Sequence, residues 1–302
     1  MRICAFASEE SLETGIVVAG DAVVAASKAV RDSGIAAGSQ VRDLLALEES
    51  DRAAVVAAAQ ALADGGDTAG ALGSLELGPP ISDPEKIIGL GLNYRDHAAE
   101  AGLPVPEYPM LFAKFPGALI GDRQAIVPPP GEEVVDYEGE LAVVIGKAGR
   151  GIALADALGH VGGVMPLNDI SARTLQMVTP QWMAGKAIDT FAPCGPALVT
   201  FDEIDDIQNL QIKTTVNGEV LQDGNTGDQI FKVAETIAWL STLMTLRPGD
   251  IIATGTPAGV GVNRDPKIVL REGDEVTVEI PGVGKLSNRF GAPADVANPL
   301  RS

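Results

Sequence analysis

Apolar residues follow two rhythms along this chain, and the change between them divides it. Near the start, Ile3 to Ser27 carries short apolar runs, and Gly15 to Val18 and Val23 to Ala26 flank Gly20-Asp21, a pattern that predicts a hairpin. Val41, Leu44, Leu45 and Leu47 then form one helical stripe after Ser39. Ala53 to Leu62 form another, with Asp51 as its predicted N-cap. Residues 64–84 lose all periodicity and hold Gly-Gly, Pro-Pro and Asp-Pro, which predicts a linker over the surface. The expected organisation is a small N-terminal α/β domain over 1–80 and a larger domain over 81–302. In the second, Leu141 to Gly146, Pro196 to Thr200, Leu210 to Gly218, Asp250 to Thr256 and Asp274 to Ile280 read as strands. A helix is predicted from Val233 to Leu243, and Asn217-Gly218 is a strong turn signal. The class is therefore α+β and β-rich.

With 302 residues and 46% hydrophobic content, the chain is long enough to bury a full core. Its formal net charge of −19 argues against nucleic-acid partners and anionic membranes, both of which are met by a basic surplus. An anionic substrate remains compatible if a few local cations and a metal reverse the sign inside one cleft. Cys4 and Cys194 match neither a disulfide framework nor a zinc pattern and read as core thiols. The first residues, MRICAFASEESLETG, lack a signal-peptide pattern and no apolar run approaches spanning length, so a cytoplasmic location is expected. Gly146 to Gly151 (GKAGRG) lacks the spacing of a nucleotide-binding loop.

Candidate chemistry follows residue 84. Glu138 and Glu140 flank Gly139, and strand alternation puts both carboxylates on one face. A solvated strand edge would explain such a pair, but the apolar run that follows suits a strand buried on both faces. A third acid, Asp169, lies in MPLNDISAR. If the three converged, their mutual repulsion would imply a bound cation, and an all-oxygen set selects Mg²⁺ or Mn²⁺, with Ca²⁺ also compatible. His97 and Glu100, three residues apart in GLNYRDHAAE, would share one face of a helical turn. A carboxylate beside an imidazole fixes its tautomer and suits it to general-base work, although an ordinary surface helix carries the same pattern. The other histidine, His160, reads as a helix end.

Residues from about 86 to 290 resemble the fumarylacetoacetate hydrolase family. The motifs GLNYRDHAAE, DYEGELAVVIG, NDISAR followed by Gln176, GKAIDTFAPCGP, TTVNG and PGDIIATGTPAGVG stand in the family's order. The resemblance implies a mixed β-roll catalytic domain with Glu138, Glu140 and Asp169 as metal ligands and His97 with Glu100 as a water-activating dyad. It also implies that Lys186 faces substrate oxygens, that Arg173 and Gln176 lie near metal-bound oxygens and that Thr256 hydrogen-bonds a substrate carboxylate. Lys114 is placed at the cleft edge. The implied reaction is hydrolysis of a C–C bond in an acylpyruvate-like or β-diketo acid through a metal-stabilised enolate. Decarboxylation of oxaloacetate, and hydratase or isomerase chemistry on a related oxo-acid, are the alternatives. A binding protein on an inactivated fold would have lost one of Glu138, Glu140, Asp169 or His97, and none is lost. A homodimer is expected from the family, and the layout around the dyad predicts a mobile lid over Asn93 to Glu107.

Overall fold

The structure is a computed structural model and describes residues 1–9 and 11–296. Among these, an eleven-stranded mixed sheet forms the spine. From one edge its strands run Gly70–Ala71, Ala22–Ala25, Leu12–Val17, Arg2–Ala7, Leu198–Thr200, Val161–Asn168, Gly139–Ile145, Ile251–Ala253, Ile87–Gly91 and Met110–Lys114, with Leu77–Gly78 also pairing Arg2–Ala7. A second sheet of four strands has the order Glu219–Asn225, Gln211–Val216, Glu275–Ile280, Gly284–Arg289. The result is the expected β-rich α+β fold.

Strand Gly139–Ile145 lies inside the large sheet and is buried along its whole length. Its alternation serves two cores. Ala142 and Val144 pack with the N-terminal strands and with helices Ala26–Ser33 and Glu49–Asp64. Leu141, Val143 and Ile145 pack against helix Val233–Leu243 and the four-stranded sheet. Each such aliphatic side chain contributes roughly 1.5–3 kcal/mol by burial, so the strand that carries the candidate acids is anchored on both faces.

The N-terminal hairpin forms as expected, Leu12–Val17 against Ala22–Ala25, through a turn in which Gly20 and Asp21 both take positive φ. The helical stripe at residue 41 becomes the short helix Val41–Leu45. The next helix begins at Glu49, so Asp51 lies in its first turn and is not its N-cap; there it faces the unpaired amides of the helix start. The stretch read as a surface linker is also corrected. Leu77 through Ile81 are buried, and Leu77–Gly78 adds a strand to Arg2–Ala7. Its prolines and glycines mark tight packing: a Cβ on Gly121 would lie 2.1 Å from the Leu77 carbonyl oxygen. Arg2–Ala7 pairs in turn with Leu198–Thr200, so N-terminal and later strands share one sheet. The predicted helix spans Val233–Leu243, and Asn217 and Gly218 both turn through positive φ. Both cysteines are buried, and burial pushes each thiol up to about 12.

Candidate active site

Sheet register assembles the acids. Gly139 pairs with Asn168 across adjacent antiparallel strands, which brings Asp169 beside Glu138 and Glu140. Two further bonds pin the crossing: Asp169 N donates to Glu138 O at 2.8 Å, and Glu138 N donates to Asn168 Oδ1 at 3.0 Å. One carboxylate oxygen from each of Glu138, Glu140 and Asp169 lies within 4.8 Å of the others, and all three residues are buried.

Cations hold this cluster. Lys186, at the end of helix Met183–Lys186, donates to Glu138 Oε2 at 2.8 Å and to Asp169 Oδ2 at 2.5 Å, and its Nζ lies 4.9 Å from the Phe112 ring centroid. Its helix approaches so closely that a Cβ on Gly185 would lie 2.5 Å from Ala172 O and Gln176 N, which explains the glycine before the lysine. Arg173 reaches Glu138 Oε1 at 2.7 Å and Asp136 Oδ2 at 2.7 Å, and donates to Gln176 Oε1 at 3.0 Å. Burial would raise the Glu138 carboxyl, but Lys186 and Arg173 hold it well below the usual carboxylate range. Lys186 is likewise kept charged: burial opposes the ammonium, and Asp169 and Glu138 outweigh it.

Glu140 is treated differently. Its Oε2 accepts from Gly255 N at 2.8 Å, while its Oε1 is buried with no hydrogen-bond partner. Burial, then Asp169 and Glu138, push this carboxyl well above its ordinary range. Lys114, Lys186 and Arg173 thus face four acids, Asp136 included, and the unpaired oxygen lies on the three-acid face. This donor set fits a hard divalent cation, which would satisfy Glu140 Oε1 and relieve the repulsion.

Lys114 departs from expectation. It is not at the cleft edge but is buried at the end of strand Met110–Lys114, with Nζ 2.6 Å from Asp169 Oδ1. That contact is an ion pair without hydrogen-bond geometry, because the ammonium donates to the carbonyls of Lys186 at 2.5 Å, Phe191 at 2.7 Å and Ile170 at 3.3 Å. Lys114 therefore braces Asp169 and the Lys186 segment from behind. Thr256 also differs: its hydroxyl proton goes to Gly139 O at 2.9 Å, so a substrate carboxylate would have to displace that bond.

Helix Arg95–Glu100 supplies the dyad, with His97 Nδ1 3.4 Å from Glu100 Oε2. Glu100 also accepts from Gly259 N at 3.0 Å and from Asn263 Nδ2 at 3.5 Å, which docks this helix on the loop after Thr256. The predicted lid cannot begin at Asn93. That side chain donates to Phe231 O and Thr254 O, and Tyr94 is fully buried.

His97, Glu138, Arg173, Gln176, Lys186 and Thr256 line a common cavity of about 480 Å³, within the usual range for small-molecule sites. Glu140 and Asp169 do not line it and lie buried beside it. Two contributors escaped the sequence reading. Asp136 accepts from Arg173, Tyr137 N, Gly261 N and Val262 N; its spacing two residues before Glu138 was the available signal. Lys267 lines the cavity from a loop that no local pattern marks.

The fold and this arrangement define an enzyme site built on buried carboxylates suited to a divalent cation. The chain belongs to the fumarylacetoacetate hydrolase family: residues 86–291 match the family described as Fumarylacetoacetate (FAA) hydrolase C-terminal. It is 49% identical over 212 residues to the mitochondrial oxaloacetate tautomerase FAHD2A of Bos taurus, covering 70% of this chain and 68% of that one. It is 47% identical over 227 residues to the oxaloacetate tautomerase YisK of Bacillus subtilis, covering 73% and 75%. Among solved structures, fumarylacetoacetate hydrolase from Exiguobacterium antarcticum superposes with a TM-score of 0.80 at 32% identity over 97% of this chain and 99% of that one. Maleylpyruvate hydrolase from Sphingobium sp. SYK-6, in complex with manganese(II) and pyruvate, superposes with a TM-score of 0.77 at 30% identity, covering 97% and 100%. Among the described residues no helix is long and apolar enough to cross a membrane.

Proposed function

We propose that this enzyme moves a proton at the carbon beside the oxo group of a small 2-oxo-dicarboxylate of the oxaloacetate type, interconverting enol and keto forms. The observation that carries the reading is that a single cavity is lined by Glu138 of the acid cluster, by Lys186 and by His97 with its Glu100 partner. The tautomerase relatives favour this outcome over C–C hydrolysis. Glu138, Glu140 and Asp169 would hold Mg²⁺ or Mn²⁺, which supplies Lewis acidity toward the oxo group.

In the keto-to-enol direction a C–H bond breaks, its electron pair forms the C=C bond, and the oxo oxygen gains charge and then a proton. His97 stands where an imidazole can take or return the carbon-bound proton, and Glu100 fixes its tautomer. Lys186 provides a buried positive charge on the wall where negative charge develops. No water is consumed and no C–C bond breaks.

A dicarboxylate has a second anionic end. Arg173 and Lys186 are both committed to acids, whereas Lys267 forms no ion pair among the described residues. We assign Lys267 to the distal carboxylate. Lys267→Met is expected to raise KM for the dicarboxylate about three- to tenfold with kcat little changed. Steady-state kinetics check this, and an unchanged KM removes Lys267 from recognition.

Hydrolysis of an acylpyruvate-type acid is the second reading, favoured by the similarity to maleylpyruvate hydrolase. The same residues would serve, with His97 activating water. Metal-stripped protein given enol oxaloacetate, with and without Mg²⁺ or Mn²⁺, separates the readings. Metal-dependent formation of keto oxaloacetate, followed by coupled reduction, supports the tautomerase. Release of pyruvate and CO₂ favours decarboxylation, and cleavage of an acylpyruvate favours the hydrolase.

A homodimer belongs to the same proposal. Strand Met110–Lys114 ends the large sheet, and exposed Met110, Leu111 and Phe115 border an apolar groove of about 680 Å³ there. Light scattering is expected to give twice the chain mass, and a monomeric mass at micromolar concentration would overturn it. A cytoplasmic location is also proposed, and cell fractionation tests it against the mitochondrial naming of several relatives.

A further inference from the structure

One glutamine from the four-stranded sheet closes a hydrogen-bond circuit around the residue between two of the candidate metal ligands. Gln222 sits on strand Glu219–Asn225, opposite Thr214, and is 1% exposed. Its Oε1 accepts from Gly139 N at 2.9 Å. Its Nε2 donates to Thr256 Oγ1 at 2.7 Å and to Pro257 O at 2.9 Å. Thr256 Oγ1 then donates to Gly139 O at 2.9 Å. Both amide protons of Gln222 and both polar groups of Gly139 are therefore spent inside one ring.

The packing demands glycine at the centre of this ring. A Cβ on Gly139 would lie 2.0 Å from Thr214 Oγ1 and 3.3 Å from the Val278 side chain. The acid-bearing strand thus lies flat on the small sheet, with Glu138 and Glu140 on either side of the clamped residue. The ring also fixes the loop whose Gly255 N holds Glu140 Oε2 at 2.8 Å.

We infer that Gln222 is a positioning residue for the cation centre. It touches neither substrate nor cation, and sets the spacing of Glu138 and Glu140 by holding Gly139, with Thr256 as the link to the Gly255 amide. This rests on the reading of Glu138, Glu140 and Asp169 as a divalent-cation site. Partners that orient metal-binding carboxylates typically change metal affinity by about 10- to 100-fold when removed.

Mn²⁺ titration of the full metal-stripped chain tests the inference, with thermal melting in parallel. Gln222→Met keeps the side-chain length and removes all three bonds; it is expected to weaken Mn²⁺ binding about tenfold or more. Ile280→Ala is the control for general destabilisation, because Ile280 is a buried residue of the same sheet with no bond to Gly139 or Thr256. It is expected to melt lower and bind Mn²⁺ as the wild type does. Thr256→Val opens the ring while leaving Gln222 in place, and Thr256→Ser restores it. The valine variant should lose affinity and the serine variant recover it, which keeps the test open if Gln222→Met does not fold. Affinity within twofold of wild type in Gln222→Met or Thr256→Val, or an equal loss in Ile280→Ala, overturns the inference. A wild type that binds no Mn²⁺ overturns the cation reading itself.

Discussion

Glu140→Gln is expected to abolish tight divalent-cation binding while leaving the metal-free protein at least as stable as the wild type. The amide can keep the bond from Gly255 N through its oxygen. It also replaces a carboxyl that burial, Asp169 and Glu138 already disfavour as an anion. Stability and function therefore part ways, as they do where a site stores unrelieved repulsion. Turnover should fall by about a hundredfold or more, since the Lewis-acid contribution is worth several kcal/mol. Mn²⁺ titration and thermal melting of the stripped protein read both effects. Wild-type affinity in the variant would remove Glu140 from the site, and a large fall in melting temperature would contradict the assignment of its strain.

Lys186→Met should act in the opposite sense on stability. The wild-type ammonium bridges Glu138 and Asp169 in a fully buried setting, and its removal leaves two acids facing each other. Breaking a buried pair from one side costs about 3–5 kcal/mol. A divalent cation bound by the same acids should restore part of that loss, because it binds the folded state. Turnover with metal should still fall about 100- to 1,000-fold, as expected when a charge aimed at the developing oxyanion is removed. Thermal melting with and without Mg²⁺, beside kinetics, checks this. A variant as stable as wild type without metal would show that Lys186 does not compensate the acids.

What the sequence disclosed depended on whether a feature was local. Glu138 and Glu140 were legible because strand alternation alone puts them on one face, and helix Val233–Leu243 because its stripe is continuous. Asp169 was a candidate only by resemblance, since its approach depends on the register that pairs Gly139 with Asn168. Lys114 was misplaced at the cleft edge because a lysine near prolines reads as exposed, and only the three carbonyls around its ammonium explain its burial. Residues 64–84 were misread because glycine and proline mark close packing as well as surface turns. Asp136 continued the alternation of Glu138 and Glu140 and could have been included. Gln222 could not, because its role exists only where two sheets meet.

The central claim is proton transfer at carbon by a cation-dependent site in which His97 is the base. Its most direct test is deuterium incorporation at the carbon beside the oxo group of oxaloacetate, followed by NMR in D₂O. Metal-stripped and Mg²⁺- or Mn²⁺-loaded wild type would be compared with His97→Ala. The account predicts metal-dependent exchange above the uncatalysed rate, reduced about 100- to 10,000-fold in His97→Ala with Mn²⁺ affinity retained. Exchange no faster than in buffer, or the same rate in His97→Ala, would contradict it.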